Sequence, residues 1–471
     1  MLPNETRHLH FIGIGGAGMS GIAWVLLKSG YQISGSDMAE NRLTQRLRDN
    51  GANVHIGHHA DNLPDSAAVV ISTAIQPDNP ELLAAQQRDL HICHRSDALD
   101  EIMRQGLSIA VAGTHGKTTT TSMMVLAAIA CGLDPTVLIG GELNDIGGNA
   151  KAGNSNLIIA EADESDGSFL RYEPHYSIVT NVEPDHLDYY GSEQAMIDAF
   201  RKYLNQTRPD GCAILCLDDE RLRGFLPQLE VPLRTYGLTS DQANFFANDL
   251  QSDKTGVSYS LIIDGKQHGR VNLRVQGAFN VANSLAVLAV CEELGADRQR
   301  AIGALEDFRG VVRRFQVKGR SHGITVIDDY AHHPTEVQVT LESAQSYCRA
   351  HDGGRVISVF QPHRYSRTQH LGEQFGPAFT DAQEVVITDV YAAGEPPLAG
   401  ISGQLVYDSI VRAGHPNVNY VPAKEQVIDF LADHLDDGDM VLTLGAGDIW
   451  QVGEDLLERL DHPPKGDGIR S

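Results

Sequence analysis

Ala110-Val111-Ala112-Gly113-Thr114-His115-Gly116-Lys117-Thr118-Thr119-Thr120 is the stretch whose reading decides the fold. An apolar strand end runs into a glycine-bounded turn, and the turn runs into a helix start that carries Lys117 and Thr118. This layout suits a polyphosphate. Backbone N–H groups of the turn and of the helix N-terminus point at the anion, and the helix dipole favours negative charge there. Lys117 reaches the outer phosphates and the Thr118 hydroxyl ligates Mg²⁺. Gly113, Thr114, His115, Gly116 and Thr119 complete the expected cradle. The usual pattern has glycine where Val111 stands, so the loop is a shortened form that begins at Gly113.

A chain of 471 residues is too long for one typical domain and suggests about three. The hydrophobic share of 42% and the 46 glycines fit an α/β protein. A net charge of −25 argues against a nucleic-acid binder and requires a local cluster of cations for any anionic ligand. Of the six cysteines only Cys212 and Cys216 lie close together, in an apolar run that reads as a buried strand with both thiols on one face. No basic segment followed by an apolar stretch opens the chain, and no long apolar run occurs, so a cytoplasmic protein without membrane insertion is expected.

Three α/β units follow. In the first, His8 to Ile12 reads as a strand, Gly13-Ile14-Gly15-Gly16-Ala17-Gly18 as a turn, and the next residues as a helix to about Ser29. Tyr31 to Gly35 is a second strand leading to Ser36-Asp37, and Val69 to Ile71 is a later strand ending at Ser72-Thr73. The second unit starts near Leu107. It holds the phosphate loop, a helix to about Cys131, and strands over Leu157–Glu161 and Tyr176–Thr180. A small appended antiparallel sheet is expected between about Leu233 and Val275, and a helix from about Asn280 to Leu294 closes the unit. The third begins around Val311, with strands at Ile324–Ile327, Val356–Phe360, Val385–Ile387 and Met440–Leu444. Its tail after about Asp461 is expected to fray.

Gly13-x-Gly15-x-x-Gly18 with Asp37 fits a dinucleotide fingerprint, and read alone it says NAD-dependent dehydrogenase. A phosphate loop in the same chain favours a different diphosphate there, such as a UDP-sugar. The burst Glu161-Ala162-Asp163-Glu164-Ser165-Asp166 ends a strand, where ligand crevices of α/β sheets lie. Glu161 at the strand terminus suits Mg²⁺. Asp163, Glu164 and Asp166 are equally well read as a solvated acidic loop. His186, after another strand, is read as a metal ligand or an acid/base.

In their order these motifs resemble the Mur ligases of peptidoglycan synthesis. The resemblance runs from Gly13–Gly21 through the phosphate loop, Glu161–Phe169, Thr180–Asp188 and Gly277–Asn283 to Arg313-Arg314-Phe315, Asp328–Glu336 and Gln361–Thr368. It implies three domains: a Rossmann-like UDP-sugar domain over 1–106, a P-loop ATPase-type domain with the small antiparallel sheet over 107–310, and a Rossmann-like domain over 311–471. It implies ATP, with Mg²⁺ or Mn²⁺, as cofactors, UDP-N-acetylmuramate and L-alanine as substrates, and a monomer or homodimer. The opening Gly15-Gly16-Ala17-Gly18 favours the alanine-adding branch over a sister that recycles a preformed tripeptide. Phe279 stands where the family often has histidine. Lys202 lies at the spacing of a lysine that several sister ligases carbamylate, and is read here as a surface residue.

The implied reaction transfers the ATP γ-phosphoryl group to a carboxylate, and an amine then attacks the acyl phosphate. Positioning and charge stabilisation dominate such chemistry. On this resemblance Lys117 neutralises phosphates, Thr118 and Glu161 hold one metal, and His186 holds a second. Asn280 and Asn283 read the adenine, and Arg314, with Arg313 behind it, touches phosphate. Asp329, Tyr330 and His332 approach the nucleotide, with His332 among the catalytic set. Arg364 and Arg367 orient the alanine carboxylate and muramyl group. Gly13, Gly15, Gly16, Ala17, Gly18, Ser36, Asp37, Ser72 and Thr73 hold UDP. Three domains sharing one site imply closure that excludes water. Solution scattering should therefore show a smaller radius of gyration with ATP plus UDP-sugar; an unchanged radius with both bound contradicts closure.

Overall fold

The computed structural model describes residues 7–143, 146–351, 353–432 and 434–462. The tail expected to fray lies outside them from residue 463 onward. Near-continuous apolar runs make the interior strands. Leu107–Ala112, Leu157–Glu161, Tyr176–Val179 and Cys212–Cys216 are buried along nearly their whole length. That is the signature of parallel strands covered on both faces. Cys212 and Cys216 pack in the core as expected.

The first sheet has strands β1 (His8–Ile12), β2 (Gln32–Asp37), β3 (Asn53–Ile56), β4 (Ala68–Ile71) and β5 (Ile92–His94). Their order is β3-β2-β1-β4-β5 and every pairing is parallel. The chain reverses its direction of winding at β1, so the crevice opens beyond the carboxyl ends of β1 and β4. The glycine turn leaves β1 there and Ser72-Thr73 leave β4.

The central sheet has β6 (Leu107–Ala112), β7 (Thr136–Leu143), β8 (Gly148–Lys151), β9 (Leu157–Glu161), β10 (Tyr176–Val179), β11 (Cys212–Cys216), β12 (Leu233–Gly237), β13 (Phe245–Asp253), β14 (Gly256–Ile263) and β15 (Lys266–Leu273). Their order is β15-β14-β13-β12-β11-β10-β6-β9-β7-β8. The small appended antiparallel part is continuous with the main sheet, and its expected first strand belongs to the parallel part. β12 pairs parallel with β11 and with β13, so Leu233–Gly237 extends the main sheet. Within Leu233–Val275, β13 to β15 turn back on themselves through the two-residue connections Lys254-Thr255 and Asp264-Gly265, which antiparallel neighbours alone permit; β7 and β8 are a further antiparallel pair at the other edge. The alternation of the sequence gave the hairpins correctly, but alternation does not report which edge a strand joins.

The third sheet has β16 (Gln316–Ser321), β17 (Ile324–Asp329), β18 (Val356–Phe360), β19 (Glu384–Ile387), β20 (Val418–Tyr420) and β21 (Met440–Leu444), in the order β16-β17-β21-β18-β19-β20. β16 is antiparallel to β17 and the rest are parallel. Helix Pro334–Ala350 covers one face through Val337, Leu341 and Ala344. Helices Lys424–Ala432 and Trp450–Asp461 cover the other through Val427, Leu431, Val452 and Leu456. The chain divides into two compact units. The first and central sheets lie in one (residues 1–249, 259–271 and 281–308), together with parts of the central hairpins, and the third sheet lies in the other (250–258, 272–280 and 309–471).

Gly35 shows how close the first sheet packs beneath its glycine turn. A Cβ at Gly35 would lie 2.5 Å from the Phe11 carbonyl oxygen and 2.7 Å from Ile14 Cδ1. Gly35→Ala should therefore cost about 1–3 kcal/mol. Urea unfolding should show a lower midpoint at unchanged slope.

Candidate active site

The phosphate loop leaves β6 between the ends of β9 and β10. Gly113 has φ +127° and Gly116 φ +81°. A Cβ at Gly113 would fall 2.1 Å from Thr180 Oγ1, so no side chain fits there. The strand-end segment 180–183 clamps the loop. Thr114 N–H donates to the Asn181 carbonyl (3.1 Å) and His115 N–H to Asn181 Oδ1 (2.9 Å). Asn181 Nδ2 returns a bond to the His115 carbonyl (3.1 Å), and Glu183 N–H donates to Thr114 Oγ1 (2.9 Å). Gly116 caps the 14-residue helix Lys117–Ala130 without any side-chain cap bond. The first-turn amides are thus left for an anion. Asn283 lies against the loop, its Oδ1 3.0 Å from where a Gly116 Cβ would stand.

Thr118 Oγ1 donates to the Glu161 carboxylate at 3.1 and 3.2 Å, and Gly140 N–H donates to the same carboxylate at 2.9 Å. Register explains the meeting: Val111 in β6 stands opposite Glu161 in β9. A hydroxyl and a carboxylate side by side at a phosphate loop are the hard oxygen ligands that Mg²⁺ takes. Lys117 Nζ donates to the Gly113 and Thr114 carbonyls at 2.6 and 3.1 Å and to Glu164 Oε1 at 2.8 Å. Burial pulls the Lys117 ammonium down, but Glu164 and Glu161 outweigh it and raise its pKa. Burial pushes Glu164 up to about 7 against the pull of Lys117.

The solvated-loop reading of the acidic burst is therefore wrong. Arg95 holds Asp163 at 2.7 Å and Asp166 at 3.3 Å. Burial raises Asp163, yet Arg95, Ser165 and Lys117 together bring it to about 2. Arg95 also lies below the glycine turn, its Nη1 3.5 Å from the position of a Gly18 Cβ. His186, at φ +53°, follows β10, with its N–H on Asp185 Oδ1 (2.8 Å) and its ring Nε2 3.5 Å from Asp185 Oδ2. Lys202 is exposed near the end of helix Glu193–Asn205.

At the first sheet, Gly13 and Ile14 N–H groups donate to the Ser36 carbonyl (2.8 and 2.9 Å), and Gly15 N–H donates to Asp37 Oδ2 (2.8 Å). Asp37 thus shapes the turn. Gly16 caps helix Ala17–Lys28 without a side-chain bond. Ile75, two residues past Thr73, comes within 3.2 Å of a Gly13 Cβ position, so the turn and the segment after β4 share the crevice. The Ser36 side chain is fully buried and donates to Glu81 Oε2 (2.5 Å), with His58 Nδ1 2.8 Å away. Its hydroxyl holds the substructure together instead of facing the crevice.

At the carboxyl ends of the third sheet the structure gathers residues from three strand ends. Arg313 Nε pairs with the buried Asp328 at 3.1 Å, and its Nη1 and Nη2 donate to the Gly447 and Gly445 carbonyls at 3.0 and 2.6 Å. Arg313 is a tie between β17 and the loop after β21. Arg314 lies 3.6 Å from Glu336, and both arginines approach the Tyr330 ring at about 5 Å. Asp329 accepts from Phe315 and Ala331 N–H (2.7 Å each), and burial raises it to about 6 against Arg314. Burial lowers His332 to about 3 against Glu336, so it is neutral near pH 7, with Nδ1 2.9 Å from the Tyr330 carbonyl. His363 packs between the His332 and Tyr391 rings, and its Nδ1 lies 3.2 Å from Arg367 Nη1. Arg364, at φ +66°, is exposed at the start of helix Tyr365–Leu371. Asn280 donates to the Gln276 carbonyl (2.7 Å).

Three family models match in succession: "Mur ligase family, catalytic domain" over residues 8–106, "Mur ligase middle domain" over 111–291 and "Mur ligase, glutamate ligase domain" over 313–447. The chain belongs to the Mur ligase family. A UDP-N-acetylmuramate–L-alanine ligase of Pelotomaculum thermopropionicum is 46% identical over 98% of this chain and 99% of its own. One from Rubrobacter xylanophilus is 47% identical over 96% of this chain and 100% of its own. The solved UDP-N-acetylmuramate-alanine ligase of Thermotoga maritima matches with TM-score 0.78 and 31% identity over 96% of this chain and 99% of its own. A murein peptide ligase of Psychrobacter arcticus, at 22% identity and TM-score 0.70 over 98% of this chain and 100% of its own, shares the fold.

Sequence reasoning missed Arg95, Asn181 and the pairing of Glu164 within this Mur ligase. Arg95 and Asn181 meet their partners only through the order of strands; Asn181 lies in the segment Thr180–Asp188, where no local pattern marks it as a clamp on the loop after β6. Glu164 was hidden in a run of acids that looks solvated. Arg313 gives the test of the tie reading. Arg313→Ala leaves Asp328 buried and unpaired and should cost about 3–5 kcal/mol in chemical unfolding. Arg314→Ala should cost less than that, because Glu336 keeps the His332 and His333 N–H groups it accepts from and Asp329 keeps those of Phe315 and Ala331.

Proposed function

We propose that this chain joins L-alanine to the lactyl carboxylate of UDP-N-acetylmuramate in peptidoglycan synthesis, converting ATP to ADP and phosphate. The likeness to ligases of that name over 98% of the chain carries the reading. The pairing of Thr118 with Glu161 beside Lys117 supports it, because that is the equipment of phosphoryl transfer. Residues 1–106 take the UDP-sugar, 107–310 take ATP, and 311–471 complete the nucleotide and amino-acid sites. The substrates, ATP and a UDP-sugar, put the reaction in the cytoplasm, and among the described residues no helix is long and apolar enough to cross a membrane.

A free carboxylate is a poor acyl donor. Transfer of the γ-phosphoryl group to it makes an acyl phosphate, and the alanine amine displaces phosphate through a tetrahedral intermediate. Both steps collect negative charge on oxygen. The open amides at Gly116–Thr119 and the Lys117 ammonium offset that charge on the phosphate side. Thr118 and Glu161 are the groups that would hold one Mg²⁺ and His186 a second metal, which would neutralise phosphate oxygens when bound. Asn280 and Asn283 hold the adenine, with Arg314 and Tyr330 beside the nucleotide. Neutral His332 approaches the nucleotide with Asp329 and Tyr330, and Arg364 and Arg367 orient the alanine carboxylate and muramyl group. The glycine turn, Asp37 as its brace, and Ser72-Thr73 hold UDP.

Phosphate release from ATP with UDP-N-acetylmuramate should require L-alanine. Release with a tripeptide acceptor alone contradicts the reading, as does no release with any acceptor. Lys117→Ala should abolish turnover and leave UDP-sugar binding within about twofold, since Lys117 sits at the other sheet. Retained turnover would remove the phosphate loop from the mechanism.

A further inference from the structure

Lys117 has three N–H donors, and all three are spent, on two loop carbonyls and on Glu164 Oε1. Glu164 is 3% exposed, and its second oxygen is buried with no hydrogen-bond partner among the described residues. A half-satisfied buried carboxylate is costly, and the adjacent ammonium is what offsets the cost. The titratable groups that face Glu164 are Lys117 from the following helix, Asp163 from its own loop and Tyr190 from the short helix Leu187–Tyr190. Asp163 is already committed to Arg95, and the Tyr190 hydroxyl donates to the Glu164 backbone carbonyl, so neither compensates the Glu164 carboxylate.

We propose that Glu164 is a positioning residue that holds Lys117 in the nucleotide-free enzyme, yields it to the triphosphate, and takes one proton from solvent in exchange. The inference rests on the reading of Lys117 as a phosphate ligand. To touch a phosphate oxygen, Lys117 must give up at least one present partner. The two carbonyls belong to the loop that must keep its shape, and Glu164 is the partner that competes with phosphate as an anion. Once the ammonium turns away, a buried carboxylate would stand unpaired beside a polyanion. Protonation at a Glu164 oxygen forms an O–H bond and removes that charge, and Lys117 stays an ammonium throughout. Glu164 starts from about 7, so the proton is within reach near neutral pH. By linkage, nucleotide affinity falls as pH rises above that value, because binding takes up a proton.

The test is calorimetric titration of the full-length protein with ATP and magnesium, without UDP-sugar so that no turnover occurs. It is run at about pH 8, where Glu164 starts almost fully ionised, in buffers of different ionisation enthalpy, and the wild type should take up close to one proton per nucleotide bound. Glu164→Gln should take up none, bind ATP several-fold more tightly because the competing anion is gone, and lose the fall in affinity with pH. Binding by the wild type without proton uptake overturns the proposal whether or not the variant folds. Uptake retained in Glu164→Gln overturns it as well. No binding heat at all overturns the ATP reading itself, and the inference with it.

Discussion

A chain with net charge −25 has to seat a polyphosphate, and that constraint organises the site. Bulk electrostatics repel the ligand, so the attraction must be local. It comes from uncapped amides at the start of helix Lys117–Ala130 and from one half-buried lysine. The clamp that shapes the loop works with neutral groups, the side chains of Thr114, Thr180 and Asn181 and the backbone of residues 114, 115, 181 and 183. Charge is thereby kept for the ligand. The lysine still needs a counter-charge when no ligand is bound, and Glu164 supplies it at 2.8 Å.

Strand order does the rest of the positioning. In the central sheet the chain winds one way from β6 to β7, β8 and β9, then returns past β6 to β10. The loop after β6 therefore emerges between two later strand ends, one bringing Glu161 and the other bringing Thr180 and Asn181. The first sheet reverses at β1 and sets the glycine turn beside the segment after β4. In the third sheet β21 inserts last, between β17 and β18, so Arg313, Asp329 and the Gly445–Gly447 loop meet across strands. Arg95 carries the connection from the first sheet to the acidic loop after β9.

Where chemistry is local, the sequence reveals it. The phosphate loop, the glycine turn and the strand-end carboxylate each have a spacing with a mechanical reason, and the strand runs Leu157–Glu161, Val356–Phe360 and Met440–Leu444 coincide with the folded elements. What escapes is set by pairing at a distance. The edge strands Asn53–Ile56, Gln316–Ser321 and Val418–Tyr420 are short or half exposed, and they lack a clear apolar period. Leu233–Gly237 alternates like an antiparallel strand yet joins a parallel neighbour. Several residues chosen for ligand contact prove to have structural partners: Ser36 on Glu81, Asp37 on Gly15, Arg313 on Asp328, and Asp329 on two amides.

All of this positioning serves transfer of a phosphoryl group to a carboxylate at the end of the central sheet. A heavy-oxygen label in the lactyl carboxylate of UDP-N-acetylmuramate tests it most directly. After turnover with ATP and L-alanine, the released phosphate should carry one labelled oxygen from the carboxylate. Unlabelled phosphate alongside normal amide formation would contradict it.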